Sequence, residues 1–136
     1  MAADQVPFQY IVVRVVPRVE RGEQFNAGVV LFCPKADFLQ ARVELDVVRL
    51  EALAPGTDPA GVRRHLDAVA AVAAGDTSAG PVARLDRSAR FHWLASPSST
   101  IIQPSPIHTG LCADPPAALD RLFAELVSPA KANRDG

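Results

Sequence analysis

Tyr10–Pro34 reads YIVVRVVPRVERGEQFNAGVVLFCP, and its reading decides the fold. Two apolar runs of β-type residues flank a short charged loop in which Gly22 permits a tight reversal. Residues 8–16 form a predicted strand with Phe8, Tyr10, Val12, Arg14 and Val16 on one face and Ile11, Val13 and Val15 on the other. Both faces are largely apolar, which predicts a central strand covered on both sides. Pro17 ends it. Residues 24–33 supply the antiparallel partner, with Asn26, Gly28, Val30 and Phe32 opposite Phe25, Val29 and Leu31. Residues 39–45 alternate more cleanly, as an outer strand with one wet face does.

Helices follow. Asp46 caps a short predicted helix that runs to Ala54 and stops at Pro55-Gly56. Thr57 or Asp58 before Pro59 starts a second helix, with Val62, Leu66, Val69, Val72 and Ala73 along its apolar line and Gly75 as its stop. Residues 76–81 read as a loop and residues 84–95 as a helix. Residues 100–103 read as a short strand kept near an edge by Pro104 and Pro106. Asp114-Pro115 opens a last helix whose core side is Leu119, Leu122, Phe123 and Leu126, and Pro129 closes it. These elements predict a single α+β domain over residues 1–129, a small, mainly antiparallel sheet packed by two or three helices, with a flexible tail at 130–136.

Composition limits the function classes. The 136 residues are 49% hydrophobic and 21% charged, as expected of a soluble globular chain. A formal net charge of −1 offers no general attraction to nucleic acid or anionic lipid. No apolar run approaches the roughly 20 residues of a membrane span, and the N-terminal stretch lacks the pattern of a secretory leader. Cys33 and Cys112 are too few for a disulfide framework, so a cytoplasmic location is expected.

Polar residues on the apolar strands are the first site candidates. An unpaired buried polar group costs about 1–3 kcal/mol and a charge more, so Arg14 and Asn26 need partners. In one reading Arg14 clamps an anionic ligand, Asn26 helps to hold it, and Glu23 is an acid, base or orienter. In the other, Arg14 pairs with Glu23 near the hairpin end, Asn26 bonds backbone, and Gly28 relieves crowding or permits a bulge. The second candidate is His108, expected in a proline-rich loop with Gly110 freeing the backbone for a ligand. Trp93 and the Ser/Thr run at 96–100 lie just upstream, so an aromatic wall and hydroxyl donors are expected to share its site with Arg14 and Asn26. His65 and His92 rank lower.

Other chemistries find little support. His108 and Cys112, even with His92 and Cys33, lack the spacing of a zinc motif, and no metal or other cofactor is expected. Ser96, Ser98, Ser99 and Thr100 have no GxSxG elbow around them. Arg84, Arg87 and Arg90 would line one side of a helix, but Asp86 interrupts the stripe and nucleic-acid binding is not expected.

The segment YIVVRVVPRVERGEQFNAGVVLF, followed downstream by RFHWLASPSSTIIQPSPIHTG, resembles the bacterial family called domain of unknown function 3037 over roughly residues 6–127. The family pattern falls on Arg14, Pro17, Glu23, Asn26 and Gly28, then on Trp93, Thr100, Gln103, His108 and Gly110. The resemblance implies a small cytosolic protein often encoded beside a HipA-type kinase, and it implies no activity. The leading expectation is a binding or accessory protein partnering such a kinase, with homodimer formation as a further one. The alternative is a small enzyme acting on a phosphate or carboxylate compound, with Glu23 and His108 as acid–base residues and Arg14 as anion clamp.

Overall fold

The first strand, β1 (Val6–Val15), is the axis around which every other strand is placed. It pairs antiparallel with β2 (Phe25–Cys33) along one side, from Gln9 opposite Phe32 to Val15 opposite Phe25. β3 (Phe38–Val43) pairs with the far side of β2. The other side of β1 is shared by two short antiparallel strands. β4 (Ile102–Pro104) takes Val13–Val15, and β5 (His108–Cys112) takes Val6–Tyr10. The computed structural model describes residues 4–98 and 100–128. The tail at 130–136 and the stop at Pro129 lie outside them.

The helices start where aspartates can cap them. Asp46 accepts from the Arg49 N–H at the start of α1 (Val47–Leu53), and Asp58 from Ala60 at the start of α2 (Pro59–Ala74). Asp86 does the same for α3 (Arg87–Ala95), and Asp114 for α4 (Pro115–Leu126). Each carboxylate satisfies an N–H that the first helical turn leaves without a partner. Gly75 ends α2 at a φ of 74°, which favours glycine.

Two cores result from the strand alternation. Ile11, Val13 and Val15 of β1, with Val30 and Phe32 of β2, pack under α2 and α3 against Leu66 and Phe91. On the opposite face, Phe8, Val29, Leu31 and Cys33 pack under α4 against Leu119 and Phe123. The chain is thus an α+β domain with a central, twice-covered strand, as its two apolar faces predict. The wet face of β3 is partly roofed, because Arg42 lies 4.3 Å from the centre of the Phe123 ring and bonds Asp120 at 2.8 Å.

The main departure from the sequence reading is β5. His108–Gly110 is strand, not loop. Its residues are too exposed to alternate, yet β4 occupies only three of the ten residues of β1 and leaves the edge of Val6–Tyr10 open for pairing. A second correction concerns residues 84–95. Pro81–Arg84 forms a 3-10 turn, and the helix begins only after the Asp86 cap, so Arg84, Arg87 and Arg90 do not share a helix face. Arg90 instead donates to the Leu85 and Ala73 carbonyls at 2.6 and 3.5 Å.

Candidate functional site

The bulge between β1 and β2 sets the position of the polar strand residues. Val13 faces Gly28 while Arg14 faces Asn26, so Ala27 is the extra residue. Gly28 is required there: a Cβ would stand 2.8 Å from the Arg42 carbonyl oxygen and from a Val43 methyl. Arg14 lies between Asn26 on β2 and Gln103 on β4, on the α4 face of the sheet. Asn26 donates its amide to the Leu126 carbonyl at 3.0 Å, tying the end of α4 to the sheet.

Glu23 is not the partner of Arg14. Its carboxylate bonds Arg21 within the hairpin turn, because a two-residue separation there is shorter than the reach back to β1. Arg14 makes no ion pair among the described residues, and its buried Nε has no hydrogen-bond partner. Its stem lies in the sheet while the expected counter-charge is spent in solvent.

His108 faces Tyr10, with ring centres 5.2 Å apart. It shares the α4 face with Arg14 but stands four residues away along β1, about 13 Å at a rise of 3.3 Å per residue. Glu23 lies past the end of the paired strands, farther still. The structure therefore brings Arg14 and Asn26 together and does not assemble all four residues in one pocket. Gly110 also has a packing task, because a Cβ there would lie 2.5 Å from the Phe8 ring.

Trp93 and the Ser/Thr segment are on the opposite face from His108. A pocket of about 580 Å³ opens there between the sheet and the α2–α3 pair. Ile11, Val13, Ile102 and Pro104 form its floor; His65, Val69 and Val72 of α2 form one wall. Trp93 and Leu94 of α3 stand opposite, and Trp93 is 53% exposed. Ser96, Ser98 and Thr100 line the mouth. Ala79, Pro81 and Val82 close another side, on a turn whose Asp76 carboxylate accepts from the Ser78 hydroxyl and N–H. Those two bonds hold the Asp76 carboxyl below its usual range, the hydroxyl contributing most.

This pocket was half legible. Trp93 and Thr100 stand out in the sequence, but His65 is an ordinary helix residue until α2 is laid across β1. The local signal in the chain is its single Trp placed just before the Ser/Thr run. His92 takes no part, since its Nδ1–H donates to the Ser88 carbonyl at 2.7 Å. A smaller pocket, beside β3 and the last turns of α2, includes Arg87 and Asp37.

Cys33 and Cys112 are free, buried, and placed on either side of β1 within the α4 core. Burial, then the neighbouring Cys33 thiol, pushes the Cys112 thiol above its usual value. No three His, Cys, Asp or Glu side chains cluster among the described residues in a way that holds a metal ion. No helix among them is long and apolar enough to cross a membrane.

Residues 10–127 match the family described as Protein of unknown function (DUF3037), and the chain belongs to that family. No curated protein and no solved structure matches the chain.

Proposed function

We propose that this member of the DUF3037 family is a binding and accessory protein whose ligand site is the Trp93 pocket. The pocket carries the reading: its volume of about 580 Å³ lies in the 300–1,000 Å³ range typical of small-molecule sites. Its body is mostly aliphatic, one wall carries Trp93 and another His65, and its hydroxyl groups gather at the mouth, a distribution that lets burial give affinity and polar contacts give orientation. The enzymatic alternative has less behind it. Glu23 is engaged by Arg21, and His108 stands more than about 16 Å along the sheet from it, too far for both to serve one small substrate.

The single Trp makes the proposal direct to test. Titration with a library of small apolar compounds is expected to give a saturable change in Trp93 emission for its binders. The same compounds should raise the melting temperature, since a ligand of the native state stabilises by RT ln(1 + [L]/Kd). A library that raises the melting temperature without touching Trp93 emission moves the site elsewhere.

The accessory role rests on the family resemblance, with a HipA-type kinase encoded nearby as protein partner and a second copy of the chain as another. Two free thiols support a reducing, cytoplasmic setting. Co-expression of chain and kinase, followed by size-exclusion chromatography, checks the partnership: co-elution supports it and separate elution removes it.

A further inference from the structure

Hydrogen-bond directions at the pocket mouth can be deduced from donor counts. The Thr100 hydroxyl donates to the Ile102 carbonyl at 2.8 Å, since a carbonyl oxygen only accepts. Its one proton is then spent. The 3.0 Å contact between the Ser98 and Thr100 hydroxyls must therefore be donated by Ser98. The Ser98 oxygen also accepts the Thr100 N–H at 3.3 Å. Ser96 donates its proton to the His92 carbonyl at 2.8 Å. All three hydroxyl protons are committed to the protein, and each oxygen retains at least one lone pair. These three hydroxyls offer acceptors to a ligand, not donors.

Charge narrows the ligand from the other side. Among the described residues lining the pocket there is no Asp, Glu, Lys or Arg, and His65 is their one titratable side chain. An ion entering it would give up hydration without meeting a fixed counter-charge.

Granting that the Trp93 pocket is a ligand site, we infer that it takes an uncharged, mainly apolar molecule, flat enough to lie on Trp93, whose polar end donates a hydrogen bond to the hydroxyl oxygens of Ser96, Ser98 and Thr100. Phenols, alcohols and N–H amides have that chemistry. At these hydroxyls, ethers and carboxylates present lone pairs to lone pairs.

Four naphthalene probes of nearly equal size test it: 2-naphthol, 2-methoxynaphthalene, 2-naphthoate and 2-naphthylmethylammonium. The readout is the indole N–H resonance of the 15N-labelled chain, a single peak because Trp93 is the only Trp. Naphthol is expected to bind about two- to tenfold tighter than its methyl ether, the worth of one neutral hydrogen bond. Both ions are expected to bind more weakly than either. Ala68→Phe, at an exposed position on the pocket wall, should abolish the naphthol shift while the melting temperature is kept. Equal affinity for naphthol and its ether overturns the donor requirement. An ion binding as tightly as naphthol overturns the uncharged class, and the pocket still stands if Ala68→Phe blocks that ion. If none of the four moves the Trp93 peak, the pocket fails as their site and the inference with it.

Discussion

At the scale of single residues, the sheet depends on positions where a side chain is missing. The Phe8 ring lies over Gly110 across the β1–β5 pair, and Phe8 is itself 3% exposed in the α4 core. A Cβ at residue 110 would come within 2.5 Å of the ring tip and 2.9 Å of its edge, so either the ring or the strand must shift. Gly110→Ala is expected to destabilise by about 1–3 kcal/mol, the usual cost of overpacking. Phe8→Leu should itself be destabilising, but adding Gly110→Ala to it should cost much less than adding it to the wild type. Chemical denaturation of the four proteins in that cycle measures the coupling. Additive costs would show that Gly110 serves the backbone rather than the ring. Arg14 is the contrary case, a side chain without, among the described residues, the partner its charge demands. Its Nε is buried without a hydrogen bond, and its cross-strand neighbour Asn26 gives its amide donor to the Leu126 carbonyl while its Oδ1 takes no hydrogen bond from Arg14.

At the scale of elements, what could be read from the sequence was what local chemistry specifies. Asp46, Asp58 and Asp114 announce their helices because a capping carboxylate acts on N–H groups two or three residues away. The hairpin of β1 and β2 is legible for a similar reason, since both apolar runs adjoin one short reversal. β5 was not legible. Its five residues, HTGLC, include three exposed ones and only one fully buried, Cys112, so no period distinguishes them from a loop. They become a strand because ten residues of β1 present an edge that three residues of β4 cannot cover. The candidate site divides in the same way. Arg14 and Asn26 are neighbours because the hairpin register makes them so. Trp93 and His65 come to line one pocket only through the packing of α2 and α3 on the sheet, a relation that no spacing in the chain encodes.

At the scale of the whole molecule, the two faces of the sheet differ in what they enclose. One is open enough to hold a pocket, while the other is sealed by α4 over a core containing both thiols. The sealed face makes stability depend on alkaline pH through Cys112. Burial raises its thiol first, and the adjacent Cys33 raises it further, so the native state holds that proton above the pH at which the unfolded chain releases it. Between the unfolded value, about 8.5, and the raised native value, the native state binds more protons, and stability falls as pH rises. The contribution is complete below that unfolded value and is lost as pH climbs through the folded one. Melting temperatures of the wild type and of Cys112→Ala, taken in parallel from about pH 7 to about pH 10, separate it from the titrations that the two proteins share. The variant is expected to start lower, because it leaves a small cavity under α4, and the gap should narrow as pH rises above about 8.5. A gap that stays constant across the range would mean that the Cys112 thiol ionises equally well in the folded and unfolded chain, and that solvent reaches the core between β5 and α4.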